Sequence, residues 1–90
     1  MKYFAVLLPM KDEEKSKTYR SEHLDFLSKL RSEKIILMNG RFADGAGGLV
    51  IYRGNSLEEV EEIVKKDPYI VHGARDYEIH EWEMVSDYNF

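Results

Sequence analysis

The sequence predicts an α+β domain in which helices cover one face of a four-stranded antiparallel sheet. Three features predict it: four short runs with strand character, two stretches with apolar residues at helical spacing, and their alternation in the order βαββαβ. At 90 residues the chain lies inside the usual single-domain range of roughly 50 to 250, so residues 1–90 are read as one domain.

Tyr3-Phe4-Ala5-Val6-Leu7-Leu8 is bounded by Pro9 and apolar at odd and even positions alike, as in a strand buried on both faces. A charged turn, Lys11-Asp12-Glu13-Glu14-Lys15, follows it. From Tyr19 to Lys34 the apolar residues Tyr19, Leu24, Phe26, Leu27 and Leu30 gather on one face of a first helix. Lys34 to Met38 and Gly48 to Tyr52 are two further strands, joined by the glycine-containing segment 39–47 as an antiparallel hairpin with a long loop. Ser56-Leu57-Glu58-Glu59 is a capping box that starts a second helix, with Leu57, Val60, Ile63 and Val64 as its buried stripe. Pro68 ends that helix near Lys66. Asp76 to Val85, holding Ile79 and Trp82, reads as the last strand.

This order is the split βαβ, or ferredoxin-like, arrangement. Its helices cover only one sheet face, yet the first three strands are apolar on both alternations, and an exposed patch of that size is unusual in a soluble monomer. Two subunits packed sheet against sheet as a homodimer would cover it. The alternative is that the long loop and the C-terminal tail, with Tyr88 and Phe90, fold over that face.

Composition excludes several function classes. Thirteen basic and 17 acidic residues give a net charge of −4, and no Lys/Arg block supplies the electrostatic footprint of a nucleic-acid binder. The absence of cysteine removes disulfides, thiolate nucleophiles, zinc–thiolate sites and iron–sulfur clusters, and fits a reducing compartment. The longest apolar stretch, Tyr3 to Met10, is far short of the roughly 20 residues that span a bilayer. It is followed by charged residues where a signal-peptide cleavage site would need small ones, so the expectation is a mature N-terminal strand in a cytoplasmic protein with no membrane partner.

His23 is the most informative residue. It lies four positions before Leu27 and seven before Leu30, within the apolar stripe of the first helix, so a titratable ring points inward. Such a ring suits proton transfer; the alternative is a neutral core histidine bonded to a backbone carbonyl. Asp67, with Pro68, Tyr69 and Gly73, forms a second group. At the end of the second helix it would face the unfavourable end of the helix dipole, and a hydrogen bond to a histidine ring nitrogen would compensate; a turn aspartate bonding nearby amides is the other use. Asp44, in the glycine-containing loop, is the rival partner for His23. Arg41, Asp44 and Tyr69 are the expected substrate-binding residues, the fork of Arg41 suiting an anionic group. Gly45-Ala46-Gly47-Gly48 lacks the following Lys-Ser/Thr and helix of a phosphate loop, and His72 and His80 lack the spacing of a helical metal site, so neither metal nor cofactor is expected.

Tyr3 to Leu8, His23 with Leu27 and Leu30, the Gly40 turn, Ser56 to Val64, and above all Asp67-Pro68-Tyr69 with Gly73, Ile79 and Trp82 resemble the YciI-like (YCII-related) family. The resemblance covers nearly the whole chain and departs from the family at Arg41 and Glu81, where proline is common. It implies a ferredoxin-like subunit in a dimeric α+β barrel whose active site contains a histidine and an aspartate, here His23 and Asp67. The function expected on this basis is that of a cofactor-free lyase or isomerase, dehydrochlorinase-like, acting on a small cyclic or aromatic molecule. A non-catalytic module that binds a small ligand is the alternative.

Overall fold

The computed structural model describes residues 1–89 and follows the expected alternation, with one helix more in each crossover. The elements are β1 (Lys2–Pro9), α1 (Glu13–Thr18), α2 (Arg20–Ser32), β2 (Ile36–Arg41), β3 (Gly47–Gly54), α3 (Leu57–Val64), α4 (Pro68–Val71) and β4 (Glu78–Trp82). The four strands form one antiparallel sheet in the order β2-β3-β1-β4. Among the described residues no helix is long and apolar enough to cross a membrane.

Alternation along the strands decides where the core sits. Phe4, Val6 and Leu8 of β1 pair with Tyr52, Val50 and Gly48 of β3 and turn one sheet face toward the helices. Leu27 of α2 and Val60 and Val64 of α3 close over them, and all of these hydrophobic side chains are at most 2% exposed. Each such burial stabilises by about 1.5–3 kcal/mol, so this layer carries most of the favourable free energy. The outer face carries Tyr3, Ala5 and Leu7 half-buried, with Met38 and Trp82 each 42% exposed. Val85 and Tyr88 are 94% and 83% exposed, so the described part of the tail leaves that face open, and Phe90 lies outside the described residues.

Several boundaries differ from expectation for local reasons. The segment read as a charged turn is α1: Asp12 caps it by accepting from the Lys15 amide at 3.0 Å, and Ser16 is its buried residue. One helical turn with a single buried position leaves no periodicity to read. α2 stops before Lys34, which adopts the left-handed conformation (φ 62°). There Lys34 N–H donates to the Arg31 carbonyl and Ile35 N–H to the Leu30 carbonyl, a Schellman ending with lysine in the place glycine usually takes. β2 continues through Asn39-Gly40-Arg41, which pair with Val50, Leu49 and Gly48, so Gly40 sits in a strand and the loop shrinks to residues 42–46. α3 begins as its capping box predicts, with Ser56 accepting from the Glu59 amide at 3.2 Å, while Glu59 reaches one residue further back to the Asn55 amide at 2.7 Å. Leu57 is 40% exposed and stands outside the buried stripe.

Gly47 opens β3 at φ 141°, and a β-carbon there would overlap the carbonyl oxygen of Leu8 on the neighbouring strand. Strain and overlap together predict that Gly47→Ala lowers stability by at least about 2 kcal/mol. Gly40→Ala, whose new methyl meets nothing within 4 Å, is expected to change stability by less than about 0.5 kcal/mol. Urea midpoints of the two variants at constant slope check the contrast.

Candidate functional site

His23 lies in the second turn of α2, on the same buried side as Leu27, one turn further on. His23 is 7% exposed, and its Nδ1 lies 2.7 Å from Oδ1 of Asp67, which is 1% exposed. Asp67 does not close α3 against its dipole as expected. α3 ends at Val64, a tight turn through Lys65 and Lys66 follows, and Asp67 is the N-cap of α4. Its Oδ1 accepts from the Tyr69 amide at 2.9 Å, and Pro68 occupies the first helical position, where the missing N–H costs nothing. The same oxygen that accepts from a backbone amide therefore faces the ring, which makes Nδ1–H the donor of the His23–Asp67 bond and leaves the lone pair on Nε2. Among the described residues no protein group bonds Nε2, and since no fully buried side-chain nitrogen or oxygen lacks a partner, Nε2 is the accessible nitrogen of the ring.

Tyr69 organises the rest of the site. Its ring stacks on His23 with centroids 3.8 Å apart and planes 9° from parallel. Its hydroxyl donates to the Ser16 carbonyl at 3.1 Å, and burial holds the phenol above its ordinary range, with Asp67 adding to and Arg75 and Arg20 opposing that effect. The phenol therefore stays a donor. Gly73, at φ 72°, reverses the chain after α4, so that Ala74 and Arg75 both donate their amides to the Tyr69 carbonyl. That reversal brings the Arg75 guanidinium to 4.7 Å from the Tyr69 ring centroid, with its Nε–H donating to Ser16 Oγ at 3.1 Å.

These side chains border a cavity of about 490 Å³ between the α1–α2 segment and the ends of β1, β2 and β3. His23, Tyr69, Arg41 and Arg75 line it, with Leu8 and Phe42 among its apolar walls. Asp44 does not line it. The Asp44 carboxylate accepts from the Ala46 amide at 2.9 Å and closes the exposed hairpin loop, and the carboxylate that meets His23 is that of Asp67. His72 stacks on Tyr19 at 3.8 Å and His80 stands 3.4 Å from Glu78, both exposed and outside the cavity lining. Ser16 and Arg75 are the site residues that sequence reasoning missed. Ser16 sits on the helix read as a turn, and Arg75 owes its place to a reversal that no periodicity announces.

Tyr52 of β3 is buried, and its phenol is pushed well above the ordinary range, first by burial and then by the charge of Asp67. A phenol kept neutral in the folded chain but free to ionise when unfolded contributes stability that is complete below the ordinary value of 10.0 and falls as pH rises beyond it. The fold should lose up to about 1.4 kcal/mol per pH unit from this group above about pH 10. Tyr52→Phe should make the decline shallower, measured as urea midpoints across that range.

Comparison with known proteins agrees with this architecture. The family model for the YCII-related domain matches residues 1–83. The uncharacterised protein YjpA of Bacillus subtilis (strain 168) is 34% identical over 82 residues, covering 91% of this chain and 96% of that protein. Among solved structures, the 5-chloro-2-hydroxyhydroquinone dehydrochlorinase of Burkholderia phenoliruptrix AC1100, in complex with 2,5-dihydroxybenzoquinone, superposes with a TM-score of 0.77 over 90% of this chain and 93% of that one, at 19% identity. The α+β fold is shared at that distance, and by the span and strength of these matches the chain belongs to the YCII-related family.

Proposed function

We propose that the protein is a small cofactor-free enzyme of the lyase or isomerase type that uses His23 and Asp67 for proton transfer on a small cyclic or aromatic molecule. The observation that carries this reading is the 2.7 Å bond from His23 Nδ1 to Asp67 Oδ1 in a ring that lines the cavity with its other nitrogen unbonded. His23 Nε2 takes a proton from a carbon or hydroxyl beside a carbonyl or phenol. The electron pair left behind forms a new π bond. In a lyase step it expels a leaving group with its bonding pair, and the imidazolium returns its proton to water; in an isomerase step the proton goes back to a different atom of the same molecule. Asp67 holds the tautomer and stabilises the imidazolium. The related fold of a dehydrochlorinase that holds a dihydroxybenzoquinone supports a substrate of this size. Arg41 borders the same cavity from the end of β2, where its guanidinium suits an oxyanion.

A positioned acid–base group contributes about 10²- to 10⁴-fold, so His23→Asn should keep the fold and lower kcat by that factor. Asp67→Asn, which releases the tautomer while keeping the shape, should lower kcat more than it raises KM. Unchanged turnover in His23→Asn would refute the assignment.

The proposed working unit is a homodimer with the outer sheet faces opposed. Met38, Leu49, Ile51 and Trp82 border a shallow groove on that face, and the described tail does not cover it. Sedimentation should give twice the chain mass for the wild type and the single chain mass for Met38→Glu, whose charge would be desolvated in such a contact.

A further inference from the structure

The charge of the cavity is opposite to that of the chain. The protein carries −4 overall, yet Lys17, Arg20, Arg41 and Arg75 line the cavity against Glu13 alone. Lys17 stands 4.0 Å from Glu14, whereas among the described residues no carboxylate lies within ion-pair distance of any of the three arginines. Arg20 and Arg41 are exposed, and exposed charges act weakly through water. Arg75 differs. It is half-buried, lies over the Tyr69 ring, donates from Nε to Ser16 Oγ and sends Nη1 to the Leu8 carbonyl at 3.4 Å. Three contacts fix the plane of the guanidinium before any ligand arrives, so little side-chain freedom remains to be lost on binding.

We infer that Arg75 is the anion-recognition residue of this cavity, selecting small aromatic molecules that carry a carboxylate or phenolate. The inference rests on the reading that substrate occupies the cavity beside His23. His23 and Arg75 both pack on the Tyr69 ring and both line the cavity, so a ring lying across it can meet the base at one end and the fixed cation at the other. Positive charge at that end also stabilises negative charge that develops on the ring once a proton leaves it. The apolar walls, Leu8 and Phe42 among them, suit the body of the ring.

The test compares two probes of one shape, 2,5-dihydroxybenzoate and its neutral analogue 2,5-dihydroxybenzamide, by calorimetry on the full chain at low salt. The wild type should bind the acid at least roughly tenfold more tightly than the amide, the order expected of one charge-assisted bidentate contact. Arg75→Gln should bring the two affinities within about threefold by weakening only the acid. In the wild type the Arg75 Nε–H resonance should shift on adding the acid and stay in place on adding the amide, a readout that needs no variant to fold. His23→Asn should keep the preference for the acid, so loss of the proton-transfer reading leaves this result standing. Equal affinities in the wild type, no binding of either probe, an unmoved Arg75 resonance, or a preference that survives in folded Arg75→Gln would each overturn the inference.

Discussion

One carboxylate oxygen holds together two parts of the chain that are 44 residues apart. Asp67 Oδ1 accepts from the Tyr69 amide and from His23 Nδ1, and at 1% exposure it has almost no water to replace either bond. A buried carboxylate is costly unless such donors meet it, so the position of the α4 N-terminus and the rotamer of His23 are not independent. Fixing one fixes the other. The imidazole thereby borders the cavity, and Tyr69, the second helical residue after the cap, stacks on it at 3.8 Å.

The consequences run outward from that bond. Tyr69 anchors α1 by donating to the Ser16 carbonyl, and it gives Arg75 a face to lie on, while Gly73 turns the chain so that Arg75 can reach it. Residues of α1, α2, α4 and the segment before β4 therefore converge on one side of the sheet, although no two of these segments are adjacent strands. The sheet supplies the floor: Leu8 of β1 and Gly48 and Val50 of β3 border the cavity, and a β-carbon at Gly48 would press on the Gly40 carbonyl oxygen of β2 at 3.2 Å.

The order of strands and helices was legible because it rests on burial, which imprints periodicity. Val6 and Leu8 alternate into the core, Leu27 and Leu30 repeat at helical spacing, and Ser56 signals its cap by residue type alone. His23 was legible for the same reason, as a polar ring on an apolar stripe. Asp67 was legible as unusual but was assigned to the wrong end of a helix. A proline after it reads equally as the stop of one helix or the first position of the next, and only the tight turn through Lys65 and Lys66 separates the two. Asp44 drew attention by sitting in a flexible-looking loop, where a short carboxylate bonds its own backbone at least as readily as a ligand. Arg75 carried no pattern at all, since its role depends on which ring lies beneath it.

The satisfied interior of the site bears on its chemistry as much as the open groups do. Among the described residues every fully buried side-chain nitrogen and oxygen has a partner, and Asp67 Oδ1, Ser16 Oγ and the Tyr69 hydroxyl are already committed to the protein. Of the groups packed on Tyr69, the His23 Nε2 lone pair and the outward N–H groups of Arg75 remain to meet a bound molecule. A carboxylate that is 1% exposed and whose Oδ1 already accepts two bonds is a poor nucleophile or substrate ligand, and a stacked phenol whose proton is given to a backbone carbonyl is a poor acid. Asp67 and Tyr69 therefore act on a substrate only through the ring and the cation they position. In the proposed reaction this divides the labour by geometry: one group accepts the proton, one fixed charge answers the charge that appears, and the residues behind them set where both stand.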